Sequence, residues 1–230
     1  MSRLVAQFLV LRSAYSNMAN LKKFVIANKP DGEAKPTDFK LVEEPIPQVK
    51  DKEVLFEAVA FSVDPYMRPL MNFFEVGTTM FGEQVAKVIE SKHPDFKVGD
   101  LAVGYLGWQT HYVGNPDEVT SPFGGLKKPY VLPDLLGLSP TLALGILGTP
   151  GNTAYFGLTK LCELKPGKTL VVSGAAGAIG SHVGQIGKIF GCKVIGFAGS
   201  DEKVSYLTKE CKFDHAFNYK KITVKEALKS

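Results

Sequence analysis

Gly174, Gly177 and Gly180 fall between an apolar stretch, Leu170-Val171-Val172, and a run with helical spacing that opens at Ile179. Residues without a β-carbon let a chain turn tightly and let a bulky anion approach bare N–H groups. The start of the following helix adds unpaired donors and the positive end of the helix dipole. Holding a phosphate is the chemistry such a turn serves. In the G-x-G-x-x-G fingerprint of dinucleotide sites, Ala175 takes the place of the first glycine, and Gly177 and Gly180 are the second and third. A glycine triplet alone is a weak signal. Here it follows a strand, opens a helix and sits in a β-α-β span, which points to a dinucleotide site. The competing reading is a glycine-rich packing turn.

A second clue follows the next strand. Sites for NAD place an acid about 20 residues beyond the glycines, where it grips the ribose hydroxyls. This chain has Gly199-Ser200 there. Ser200 can cap the next helix, Asp201 and Glu202 suit its first turn, and Lys203 is placed to meet a 2′-phosphate. The pattern favours NADP over NAD as the cofactor. Against it stands a reading in which Lys203 is a solvated helix lysine and Asp201 takes the ribose. The Gly-Lys-Thr at Gly167, Lys168 and Thr169 is not a phosphate-binding P-loop. It lacks the earlier glycine and precedes its strand rather than following it.

The elements that must position these residues alternate. A helix is expected over 152–164, stopped by Lys165-Pro166-Gly167, with Thr149-Pro150-Gly151 as punctuation before it. Then come a strand over 169–173, a helix over 179–190, a strand over 193–197, a helix over 201–211 and a short strand over 215–218. Such alternation implies a parallel sheet. Upstream the text reads as strands: KKFVIA, FKLVEEPIP, EVLFEAVAFSV, FGEQVAKVIESK and LAVGYLGWQTHYVG. Ser139 can cap a short helix with Pro140 at its first position. The expected division is an extension over 1–20, a β-rich domain over 21–145 and a nucleotide-binding domain over 146–230.

Composition narrows the partners. With 45% hydrophobic and 22% charged residues in 230, the chain has ordinary globular composition. Its net charge of +4 belongs to the N-terminal segment, because Arg3, Arg12, Lys22, Lys23 and Lys29 all precede the first acid, Asp31. No basic patch for nucleic acid follows, and no apolar run approaches the roughly 20 residues of a membrane span. The acid-free residues 1–17 read either as an organelle-targeting peptide or as a lead-in before a domain starting near Met18. A cytoplasmic location is expected, with a mitochondrial one kept open by that segment. Cys162, Cys192 and Cys211 are unclustered, with no C-x-x-C pair for a structural zinc site. Cys162 and Cys192 sit in apolar contexts and read as inert thiols.

The chain resembles the zinc-independent medium-chain dehydrogenase/reductase family, in its prostaglandin reductase branch (leukotriene 12-hydroxydehydrogenase, alkenal/one oxidoreductase). The resemblance lies in SVDPYMR at 62–68, GEQVAKVIESK at 82–92, ALGILGTPGNTAYFGL at 143–158, VVSGAAGAIGSHVGQIGK at 171–188, GSDEKVSYL at 199–207 and FNYKK at 217–221. It implies an α/β chain: an N-terminal partly open β-barrel (GroES-like) domain beside a Rossmann domain, with the active site in the cleft. It implies NADPH-dependent reduction of the C=C bond of α,β-unsaturated ketones and aldehydes, such as oxoprostaglandins and lipid-derived alkenals. Hydride goes to the β-carbon, and the enolate then takes a proton at the α-carbon. By the same resemblance Gly177, Ala178, Ile179 and Gly180 hold the pyrophosphate and Lys203 the 2′-phosphate, with Ser200 also counted among the cofactor-binding residues. Tyr219 lies on the adenosine side, Thr153 at the nicotinamide end, and Tyr66 is the substrate-facing catalytic residue.

Each of these residues has a plainer role open to it. Tyr66 reads also as a packing tyrosine, Tyr219 as a surface residue and Thr153 as an ordinary helix residue. Arg68 is taken as a structural ion-pair partner, and Trp108 as either core or cleft lining. No metal is expected. Where zinc-dependent relatives carry G-H-E, this chain has Gly82-Glu83 without the histidine. Family members also run on past the point where this chain stops, and the full-length family form is expected to be a homodimer. Two alternatives follow: a truncated, non-catalytic nucleotide-binding or dimer-partner module, and a quinone-type medium-chain reductase.

Overall fold

The structure, a computed structural model, describes residues 20–229. The expectations for the N-terminal segment lie outside those residues. The chain divides into two compact units, one running to Leu144 and the other starting at Gly145.

The first unit is built from antiparallel strands. β1 (Asn20–Ile26) and β2 (Phe39–Pro45) form a two-stranded ribbon. β3 (Val54–Phe61) leads through Ser62-Val63-Asp64-Pro65 to the short helix α1 (Met67–Leu70). β4 (Gln84–Ser91), β5 (Leu101–Gly104), β6 (His111–Gly114) and β7 (Tyr130–Val131) join β3 in a sheet of order β6-β3-β4-β5-β7. Alternation in β3 sends Val54, Phe56, Ala58 and Ala60 inward. Phe56 is fully buried and packs edge-on against Phe96, with ring centres 5.6 Å apart. Burying such a side chain stabilises the unit by about 1.5–3 kcal/mol.

LAVGYLGWQTHYVG does not form one strand. β5 pairs with β4, β6 pairs with β3, and residues 105–110 carry the chain across. The cause is distant in sequence. The buried amide of Gln84 donates to the carbonyls of Gly107 and Gln109, and Gly107 adopts φ +81, so the loop is pinned over the strand ends. Trp108 takes the core role. It stacks on Phe39 and Phe61, with centroids at 5.5 and 5.7 Å, and its indole N–H donates to the Ser62 carbonyl. Ser139 accepts from the Thr141 N–H, and Pro140–Leu144 forms a 3-10 turn rather than an α-helix.

The second unit opens with α2 (Thr149–Phe156), continued by a π-turn over Gly157–Leu161. Thr149-Pro150-Gly151 is therefore the first turn of the helix and not a break before it. Proline fits there because its missing N–H has no intrahelical acceptor. Gly151 answers a close approach, since a β-carbon would stand 1.7 Å from the Ile146 carbonyl oxygen. Then come β8 (Thr169–Val172), α3 (Ala178–Ile189), β9 (Lys193–Ala198), α4 (Asp201–Lys209), β10 (His215–Asn218) and α5 (Val224–Ala227). The three strands form a parallel sheet of order β10-β9-β8, the α/β arrangement expected of a Rossmann half. Val172, Ala175, Val194, Leu207 and Phe213 make its core, together with Cys192 and Cys211. Cys162, expected in an apolar setting, is exposed at the end of the π-turn. Among the described residues no helix is long and apolar enough to cross a membrane.

Candidate functional site

The turn after β8 has the geometry of an anion cradle. Gly174 carries the left-handed backbone, φ +56, and its carbonyl accepts from the Gly177 N–H at 3.0 Å. The buried Ala175 donates its N–H to the Phe197 carbonyl at 3.0 Å, which ties the turn to β9. Thus the turn itself demands glycine at Gly174, one place before the position matched to the fingerprint. Gly177 precedes α3 with no side-chain cap. Gly177, Ala178 and Ile179 are exposed while Gly180 is buried. The N–H groups of this first turn have no acceptor within the helix and add to the positive end of its dipole.

The next strand end brings a second set together. Ser200 caps α4, its hydroxyl accepting from the Lys203 N–H at 3.3 Å. Lys203 is exposed in the first turn, and among the described residues no carboxylate pairs with it. Tyr219, just past β10, donates its N–H to the Ala198 carbonyl at 3.1 Å. Its hydroxyl lies 2.6 Å from where a β-carbon on Gly199 would be, so the ring is laid along the Gly199-Ser200 corner. Asp201, the alternative ribose acceptor, is engaged by Asn218 and Lys221, which hold its carboxyl below the usual range. Thr153 lies in α2 of the same unit, exposed, with its hydroxyl donating back to the Thr149 carbonyl at 2.7 Å. That bond is a helical one, and it leaves the oxygen's lone pairs as acceptors.

Tyr66 belongs to the first unit. It stands half-buried at the start of α1, its ring 5.2 Å from that of Phe123. The phenol of Tyr105 lies near enough to act on it. Burial, then the nearby Tyr105, Asp64 and Glu83, pushes the Tyr66 phenol far above its ordinary range. Burial first, then Glu83, raises Tyr105 as well. The ammonium of Lys127 sits 5.2 Å from the centre of the Tyr105 ring and 3.9 Å from the Glu83 carboxylate. The result is a neutral phenol, held as a donor near carboxylates whose field opposes its ionisation. Such a group can donate to an oxygen that gains negative charge during a reaction. Arg68, expected in an ion pair, instead donates to the Gly32 carbonyl.

Tyr105, Glu83 and Lys127 around Tyr66, and Asn218 and Lys221 around Asp201, went unread in the sequence. Tyr105 stands beside Gly104 at a strand end, a local signal that could have marked a loop residue and no more. The side chains present suit a phosphorylated dinucleotide in the second unit. Bare donors stand at the turn, a lysine stands beyond the second strand, and an aromatic ring lies at the corner between them.

Residues 22–121 match the protein family described as the N-terminal domain of oxidoreductase. Prostaglandin reductase 1 of Rattus norvegicus is 46% identical over 215 residues, which is 93% of this chain and 62% of the relative. The NADP(+)-dependent 2-alkenal reductase of Nicotiana tabacum is 36% identical over 211 residues, covering 86% of this chain and 58% of the relative. Among solved structures, CurA from Vibrio vulnificus in complex with NADPH is 34% identical with a TM-score of 0.78, covering 90% of this chain and 60% of that one. The chain therefore spans about three-fifths of the length of the proteins it matches, 62% and 58% of the two relatives above. On sequence and fold together, the chain is similar to the prostaglandin reductases and to CurA over the part of their length that it spans.

Proposed function

We propose that this chain supplies the working parts of an NADPH-dependent reductase of α,β-unsaturated ketones and aldehydes. The observation that carries the reading is the pairing of an uncapped glycine turn with Lys203 and Tyr219 at the neighbouring strand end, in a chain 46% identical to a prostaglandin reductase. NADPH, when bound, would supply the hydride that adds to the β-carbon of the substrate. The N–H groups of Ala178, Ile179 and Gly180, with the side-chain-free backbone of Gly177 beside them, would hold the pyrophosphate. Ser200 and Lys203 would meet the 2′-phosphate, Tyr219 would cover the adenosine and Thr153 would accept at the nicotinamide end. Tyr66 would donate its hydroxyl hydrogen to the substrate carbonyl oxygen. Charge that develops on the oxygen as the enolate forms is then stabilised by a donor already in place.

The test is a single incubation of the purified chain with an alkenal and NADPH deuterated at the transferable position. Deuterium on the β-carbon of the saturated aldehyde is the expected result. Nucleotide binding without any saturated product would instead make the chain a binding module. Turnover of a simple quinone alone would move it to the quinone-type reductases.

A further inference from the structure

The loop after β10 folds back on the start of α4 and engages Asp201, a carboxylate placed to read a ribose. The Asp201 carboxylate accepts from the Asn218 amide nitrogen at 2.9 Å through one oxygen. Through the other it accepts from the Lys221 ammonium. The arrangement is directed. The side-chain oxygen of Asn218 accepts from the Lys220 N–H at 3.1 Å, so its NH2 must face Asp201. The main-chain carbonyl of Asn218 accepts from the Lys221 N–H at 2.9 Å and the Ile222 N–H at 3.2 Å. These bonds turn the chain so that Lys221 returns over the helix start. Both ends of the ion pair remain well exposed, at 67% and 65%. An exposed pair of this kind contributes little to folding, so its consequence lies in the charge that it removes from the surface.

That position decides between two cofactors. A free carboxylate beyond the second strand accepts from the ribose hydroxyls of NAD and repels a 2′-phosphate. Asp201 is the first acid after β9. We propose that Lys221 is a specificity-determining residue, which by neutralising and occupying Asp201 leaves Lys203 as the charge the ribose end meets and so selects NADP over NAD. This rests on the nucleotide reading given above. Lys221 acts through Asp201, so it is a positioning residue and not itself a phosphate ligand.

The test is calorimetric titration of the whole chain with NADP+ and with NAD+, for the unaltered protein, Lys221→Met, and Lys221→Met combined with Asp201→Asn. Ser200, the helix cap, stays intact in all three. Lys221→Met should lower NADP+ affinity roughly tenfold and raise that for NAD+, since a like charge is uncovered where the phosphate sits. Adding Asp201→Asn should restore the preference for NADP+. An unchanged ratio of the two affinities in Lys221→Met overturns the proposal. So does a double variant that stays as weak for NADP+ as the single one, because Lys221 would then be a direct ligand. Failure of the unaltered chain to bind either dinucleotide would overturn the proposal together with the nucleotide reading beneath it. The two failures are thereby told apart.

Discussion

A β-carbon at Gly180 would lie 2.5 Å from the carbonyl oxygen of Gly174 and 2.7 Å from the α-carbon of Ala175. The buried third glycine lets α3 begin hard against the turn that precedes it. Backbone, unlike the end of a flexible side chain, has little room to give. Gly177 is different. Its β-carbon would meet only the Gly174 oxygen, at 3.3 Å, and its φ of −79 suits any residue.

Alanine at the two positions should therefore separate folding from binding. Gly180→Ala is an overpacking change expected to cost about 1–3 kcal/mol and to lower Tm. Gly177→Ala should keep Tm close to that of the unaltered chain yet weaken dinucleotide binding, because its methyl stands at the exposed mouth of the turn. Thermal unfolding and calorimetry on both variants check this. Equal losses of stability would show that the turn is a packing device throughout.

The raised phenols carry a pH signature. In the unfolded chain tyrosine ionises near pH 10. In the folded chain burial keeps Tyr66, Tyr105, Tyr112 and Tyr130 protonated beyond that point. Above the ordinary phenol range the unfolded state therefore binds fewer protons than the folded one, and stability must fall as pH rises. Tm should be level to about pH 9 and decline from there. Tyr66→Phe should flatten part of that decline. The same variant should lower kcat for an alkenal by about a hundredfold with KM little changed, as the loss of an oxyanion donor does. An unaltered kcat would assign Tyr66 to packing.

On the acid side the sign reverses. Both carboxylate oxygens of Asp214 take Lys188, at 2.7 and 2.8 Å, and one also accepts from the Val194 N–H at 2.6 Å. Lys188 first, then Val194, holds this carboxyl below the usual range. Its contribution is present above the unfolded carboxylate pKa and is lost as pH falls through the lower folded value. Asp214→Asn should cost about 1 kcal/mol at neutral pH, the modest figure reflecting solvent screening. It should also make urea stability less steep below about pH 4. A variant as acid-sensitive as the parent would sink this assignment.

What the sequence determined by itself was whatever depends on near neighbours in the chain. The two-residue period of Val54, Phe56 and Ala58 marked a half-buried strand, because β side chains alternate in direction. The alternation from β8 to β10 marked a parallel sheet, because its connections must cross over in helices. Gly174, Gly180 and the cap at Ser200 meet local conformational demands, so the turn and the helix start of the nucleotide half were legible in the sequence. Tertiary structure alone decided what depends on side chains meeting from distant segments. Gln84 split one apparent strand into β5 and β6 by binding the carbonyls between them. Ile146 made Gly151 part of a helix and not its boundary. Burial with Tyr105, Asp64 and Glu83 raised the Tyr66 phenol, and Lys221 paired with Asp201. Spacing along a chain fixes backbone form within a few residues, whereas a site's charge and its protonation are sums over space. The fold has to bring those groups together before either can be read.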